Sequence, residues 1–145
     1  RKVFTNNFNK AKVAPIICYE SIYGEFVTDY VRNGANLLAI MTNDSWWDNS
    51  EGHRQLLSYA RLRAIETRRE IVRAANSGIS AHINARGDIL EDTIYGDQTA
   101  LVVKADLLEE NSSYTKIGDL ISRIAIFALG FLLVYHFGKR ITSKK

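Results

Sequence analysis

The stretch Val13-Ala-Pro-Ile-Ile-Cys18-Tyr19-Glu20 decides the reading of this 145-residue chain. From Val13 to Ile17 it is a short apolar run, rich in β-formers after Pro15, and predicts a buried strand. Cys18 then stands at the strand's end. In an α/β fold a side chain at the carboxyl end of a strand points into the crevice where ligands bind. A thiol there can attack a carbonyl once a neighbour takes its proton. Position alone also allows a plain buried cysteine packed as a small hydrophobe.

The next elements extend the pattern. Phe26, Val27, Tyr30 and Val31 form one apolar face and predict a helix over residues 25–32. Asn33-Gly34 ends it, with Gly34 suited to a left-handed position after the last turn. Leu37 to Thr42 is a second apolar run and a second buried strand. Strand, helix and strand within about 30 residues give the spacing of a βαβ unit.

Asn43 to Gly52 is polar apart from Trp46 and Trp47 and predicts a loop. A helix follows from His53 to Arg69, with Leu56, Leu57, Ala60, Ala64 and Ile65 on one side. Arg61, Arg63, Arg68 and Arg69, with Arg73 beyond the helix, are expected on a solvated, salt-bridged face, or as contacts for anionic lipid head groups. His53 is expected to cap or pack the helix start. Residues 70–75 and 79–84 predict strands around an Asn76-Ser77-Gly78 turn, and Arg86-Gly87-Asp88 a hairpin-type turn. Residues 89–95 and 99–103 predict further short strands. The second half should therefore be more antiparallel than the first.

The tail changes character. Ile124 to Phe137 holds 14 residues, with His136 as the clearly polar one. Extension back to Ile117 gives 21 residues, enough for a span of about 31 Å. Asp119 and Arg123 are four apart and are expected to pair on one face, with Arg123 able to snorkel. A buried core helix is the alternative. Residues 1–116 are expected as one α/β domain, 117–137 as a transmembrane helix and 138–145 as a basic tail. The positive-inside rule places that tail in the cytoplasm and residues 1–116 on the other side of the membrane.

The formal charge is +3, but Lys139, Arg140, Lys144 and Lys145 concentrate the positive charge in the tail. A nucleic-acid partner is therefore not expected. One cysteine excludes an internal disulfide. Cys18, His53, His82 and His136 are scattered, so neither a metal nor another cofactor is expected. The chain begins at Arg1 rather than Met, and is read as a piece of a longer protein.

Several separate motifs resemble the nitrilase (carbon-nitrogen hydrolase) superfamily. They are Ile17-Cys18-Tyr19-Glu20-Ser21, Gly34-Ala35-Asn36, Thr42-Asn43-Asp44-Ser45-Trp46-Trp47, Arg61-Leu62-Arg63-Ala64-Ile65-Glu66, residues 73–80 and the turn at Arg86-Gly87-Asp88. Within that superfamily the pattern is most similar to the apolipoprotein N-acyltransferase family. The Cys-Tyr-Glu step, the Thr-Asn-Asp-x-Trp loop, the helix after it and the apolar helix after Tyr114-x-x-Ile-Gly-Asp119 carry that likeness, in order, over residues 12–137.

The resemblance implies the C-terminal part of an αββα sandwich followed by one transmembrane helix, in a bacterial inner membrane, with the catalytic domain on the periplasmic side. It implies Cys18 as the nucleophile of a Glu–Lys–Cys triad, with Tyr19 and Glu20 in supporting roles beside it. Trp46, Trp47 and Asn43 are expected at the substrate. The implied reaction passes a fatty acyl chain from a phospholipid to Cys18 as a thioester. The N-terminal cysteine amine of a diacylglyceryl-modified apolipoprotein then accepts it. Nothing here matches the triad Glu or Lys. Lys12 lies six residues before Cys18 on the same strand, about 20 Å away. The isolated chain is accordingly expected to be inactive. A water-using amidohydrolase and a membrane-tethered, non-catalytic relative remain the alternatives.

Overall fold

A computed structural model describes the backbone of residues 1–142 and side chains through residue 139. Lys144, Lys145 and the side chain of Arg140, part of the basic tail expected from the sequence, lie outside the described residues. The centre is a six-stranded mixed sheet in chain order: β1 (Phe4–Thr5), β2 (Lys12–Ile17), β3 (Leu37–Thr42), β4 (Ile71–Ala75), β5 (Ala81–Ile83) and β6 (Ile89–Asp92). β2, β3 and β4 run parallel, and β5 and β6 continue antiparallel.

The parallel strands are joined by two helices, α1 (Gly24–Arg32) and α2 (Glu51–Thr67). These make two consecutive βαβ units, the first of which the spacing of apolar runs predicts. α1 buries Val27, Tyr30 and Val31. It ends at Gly34, whose φ of +94° lets its N–H reach Val31 O (2.9 Å) while Ala35 N–H reaches Tyr30 O (3.0 Å). Pro15 is tolerated in β2 because β1 pairs only with Lys12 and Val13, so that edge is open beyond them.

One sheet face carries the core. Ala14, Ile16, Leu38, Ile40, Ile71, Ala81 and Ile83 pack there against Val27, Val31, Leu57, Ala60 and Ala64. The other face presents Val13, Pro15, Ile17, Leu37, Ala39, Met41 and Val72, and its Ile17 and Met41 are 52% and 43% exposed. This is an apolar sheet face with little on it. His82, on the same face, is buried and pairs with Glu70 at 2.9 Å.

Several expectations are corrected. α2 begins at Glu51, two residues before His53, because Ser50 Oγ accepts the Gly52 N–H (3.3 Å) as an N-cap. His53 therefore packs rather than caps; it is buried with its ring 4.5 Å from that of Tyr95. Ile65 is exposed, and the inner stripe runs instead through His53, Leu56, Leu57, Ala60, Arg63, Ala64 and Thr67. Arg63, Arg69 and Arg73 are buried, not solvated. Each is stabilised by oxygen acceptors: Arg63 by Ile22 O and Glu66, Arg69 by Ala35 O and Glu110 O, Arg73 by Asp44 and Ile79 O.

The last two expected strands are also revised. β6 stops at Asp92, where Thr93 N–H turns to Ser80 O and Gly96, at φ +84°, reverses the chain. Residues 99–103 form no strand. The chain instead crosses the amino ends of the strands, through Asp106 N–H to Glu70 Oε2 (2.9 Å) and Leu108 N–H to Asn36 O (3.2 Å).

It then forms a short helix, α3 (Ser113–Ile117), and a long one, α4 (Leu120–Thr142). A break at Gly118, φ +73°, separates them, so the long helix begins three residues later than expected. Asp119 and Arg123 do not pair. Asp119 caps α4 by accepting from Ser122 N–H and Oγ (3.0 and 2.6 Å), and Arg123 pairs with Glu25 on α1 at 2.7 Å. From Leu120 to Lys139, α4 is long and apolar enough to cross a membrane, and none of that window is buried. Within the described residues the helix does not pack into the domain core.

Candidate active site

Cys18 opens a 3-10 turn (Cys18–Ile22) directly after β2. Its φ is +50°, a left-handed conformation that costs a non-glycine residue about 1–2 kcal/mol. The neighbours hold it there. Ser21 Oγ donates to Cys18 O (2.8 Å), Tyr23 N–H donates to Glu20 O (3.2 Å), and Glu20 Oε2 accepts the Ile17 N–H (2.8 Å). Glu20 thus closes the turn that carries the sulfur, which is half-buried.

Register supplies the neighbours. Ile17 pairs with Met41, and Met41 with Ala74, so the carboxyl ends of β2, β3 and β4 lie side by side. Thr42, the last residue of β3, therefore comes beside Cys18, with Oγ1 3.5 Å from Sγ. The same hydroxyl lies 2.8 Å from Asp44 Oδ1. Asp44 Oδ2 is 2.7 Å from Arg73 Nη2 on β4, and both side chains are sealed from solvent. Asn76 Oδ1 accepts the Asp44 N–H (3.0 Å), and Asn76 N–H donates to Thr42 O (3.3 Å). A Cβ on Gly78 would overlap the Asp44 carboxylate, so only glycine fits there. A chain of polar contacts thus runs from the sulfur to a buried guanidinium.

The two tryptophans differ in packing. Trp47 meets the Tyr19 ring edge-on, with centroids 6.5 Å apart, and packs over Gly52. Trp46 is 80% exposed. Asn43 Oδ1 accepts from Ser45 N–H (3.2 Å) and Oγ (2.5 Å) and so shapes the loop. Lys12 begins β2, at the opposite end from Cys18, where it pairs with Glu109 at 3.5 Å.

Of the residues singled out in the sequence, Cys18, Tyr19, Glu20 and Trp47 come together, and Trp46 and Asn43 stand at the loop's rim. Thr42, Asp44, Arg73 and Ser21 were not foreseen as site residues, while the Asn76 turn, following a strand, could be read as lining the crevice. Thr42 was findable, because two parallel strands ending in step place their last residues together. Among the described residues no cluster of three or more His, Cys, Asp or Glu side chains is arranged to hold a metal ion.

Parallel strands whose carboxyl ends present a thiol from a strained turn define an α/β protein with a strand-end cysteine site. A family model described as carbon-nitrogen hydrolase matches residues 2–111. The chain is 36% identical over 121 residues to the apolipoprotein N-acyltransferase of Chlorobaculum tepidum, covering 83% of this chain and 23% of that protein. It is 33% identical over 125 residues to the Haemophilus influenzae protein of the same name, covering 86% and 23%. It thus spans about a quarter of the length of these relatives. Among solved structures it resembles an amidase from Nesterenkonia sp., with a TM-score of 0.56 and 17% identity over 86% of this chain and 47% of that one. A carbon-nitrogen hydrolase from Helicobacter pylori gives a TM-score of 0.55 at 13% identity, covering 62% and 39%. The chain belongs to the carbon-nitrogen hydrolase family, with the nitrilase-superfamily α/β fold.

Proposed function

We propose that this chain is the C-terminal part of a membrane-embedded N-acyltransferase that carries a fatty acyl chain on Cys18. Residues 1–116 are the C-terminal part of the catalytic domain, 117–137 hold the membrane helix, which starts at Leu120, and 138–145 form a cytoplasmic tail. The catalytic part faces the periplasm of a bacterial inner membrane. The uncovered sheet face receives the other half of the sandwich, from sequence upstream of Arg1.

In the first step the Cys18 thiolate attacks the ester carbonyl of a phospholipid. A thioester forms and the lysolipid leaves as an alcohol. In the second, the N-terminal cysteine amine of a diacylglyceryl-modified apolipoprotein attacks that thioester, an amide forms and the thiol is restored. The upstream segment supplies the general-base glutamate and the oxyanion lysine, so the 145-residue chain alone has no turnover. Glu20 holds the nucleophile's turn and receives the acceptor amine. Tyr19, Trp46 and Trp47 form an apolar wall for the acyl chain, and Asn43 keeps their loop in shape. Exclusion of water by that wall favours aminolysis over hydrolysis.

One observation carries this reading above a soluble amidohydrolase. The exposed apolar helix α4 starts against the first turn of α1, through Asp119 N–H and Arg123 to Glu25 Oε1 (2.8 and 2.7 Å). α1 begins right after the turn bearing Cys18. The apolar helix therefore leaves the domain at the end where the sulfur lies, as two bilayer-borne substrates require.

Mass spectrometry of the full-length protein after incubation with phospholipid vesicles tests it. An acyl adduct on Cys18, absent in Cys18→Ala and discharged by a lipopeptide amine, is expected. A folded protein without an adduct, or one releasing only free fatty acid when the amine is present, would overturn the proposal.

A further inference from the structure

We propose that Thr42 is a positioning residue for Cys18, its hydroxyl turning from Asp44 to the sulfur when the thiolate forms. This rests on the acyl-transfer reading. Thr42 has one hydroxyl proton and two neighbours able to accept it, Asp44 Oδ1 at 2.8 Å and Cys18 Sγ at 3.5 Å. While sulfur is protonated, the carboxylate is the stronger and nearer acceptor. Thr42 then donates to Asp44 and offers its oxygen lone pair to the thiol.

Departure of the thiol proton to a general base reverses the preference. The sulfur now carries the negative charge, and a hydroxyl 3.5 Å away can donate to it after rotation about one bond. No bond to Thr42 breaks, and its proton stays on the same oxygen. Asp44 can release the hydroxyl because its other oxygen remains paired with Arg73 at 2.7 Å. The carboxylate also keeps its place, since Gly78 and the Asn76 contact to its backbone enclose it. Arg73 in turn is fixed by its bond to Ile79 O. The buried ion pair thus acts as a rigid base from which one hydroxyl serves two acceptors in succession. A valine would match the shape of Thr42 but could do neither task.

The test uses the full-length protein in detergent, with two readouts: single-turnover thioester formation from phospholipid, and alkylation of Cys18 by iodoacetamide, which needs no lipid site. Thr42→Val is expected to slow both by about tenfold, the size of one lost hydrogen bond to a charged atom, with KM for phospholipid unchanged. Thr42→Ser should restore both rates. If the valine variant does not fold, Thr42→Ala against Thr42→Ser gives the same comparison. Wild-type alkylation in a folded valine or alanine variant would overturn the proposal, as would slowing confined to the lipid reaction. If the wild type forms no thioester yet the valine variant is alkylated slowly, the acyl-transfer reading fails and the role of Thr42 stands.

Discussion

Arg73 Nη2 lies 2.7 Å from Asp44 Oδ2, with neither side chain in contact with solvent. This pair ties the start of the loop after β3 to the middle of β4, and the loop carrying Trp46 and Trp47 runs on from it. Truncation of one partner leaves the other as an uncompensated buried charge, which costs about 3–5 kcal/mol. Arg73→Met should lower the unfolding free energy of the full-length protein by that amount in a denaturant titration. Asp44→Leu combined with Arg73→Met should recover most of the loss, because no lone charge remains. Equal losses in the single and double variants would refute the ion-pair account.

Gly78→Ala should act on the same pair from the opposite side. Its Cβ would overlap the Asp44 carboxylate, and overpacking of this kind costs about 1–3 kcal/mol. The variant should melt at lower temperature and be alkylated more slowly at Cys18. Unchanged melting would mean that the loop yields freely.

Arg68 follows the last turn of α2 with φ +52° and ψ +45°, a left-handed cap held by an arginine. Its side chain is exposed. Arg68→Gly removes the Cβ penalty and should raise stability by about 1 kcal/mol. Thermal unfolding of the two proteins side by side gives the answer, and a less stable glycine variant would show that the side chain makes a contact worth more.

The Asn84 amide, 2.9 Å from Asp88 Oδ2, and Arg86 beside it hold the Asp88 carboxyl below its ordinary value. A depressed carboxyl stabilises the fold above its unfolded-state pKa, and that contribution is lost as pH falls through the folded-state value. Asp88→Ala should therefore be slightly less stable than wild type at about pH 7, with the difference closing as pH falls below the ordinary carboxylate range. A difference that persists undiminished in acid would assign the effect to lost packing in the turn.

Periodicity made the centre of the fold legible. The apolar runs at 13–17 and 37–42 and the face of α1 need only local sequence to be read, and all three elements form there. The buried arginines did not follow from local sequence. Arg63 occupies a core slot in the three-four spacing of α2, yet its charge argues for the surface. Only Glu66 and the carbonyl of Ile22, brought in by the fold, make the slot habitable. Arg73 depends on Asp44, 29 residues earlier in the chain. Residues 99–103 have the composition of a strand, but they find no strand partner and run as a connector. At the site, Cys18, Tyr19 and Glu20 stood out as a motif. Thr42 became visible only through register, a property of strand pairing rather than of either strand.

Glu25 binds both the first backbone amide before α4 and the guanidinium one turn into it. Gly118 brings the chain so close to Glu25 that a side chain there would collide with the carboxylate. The apolar helix and the turn bearing Cys18 are consequently joined by a short bracket through the start of α1 instead of a slack leash. With the helix seated in a bilayer, such a bracket works as a depth gauge. On the proposed acyl-transfer reading it would set the level at which a lipid carbonyl meets the thiol, and ester groups lying deeper or shallower would be passed by.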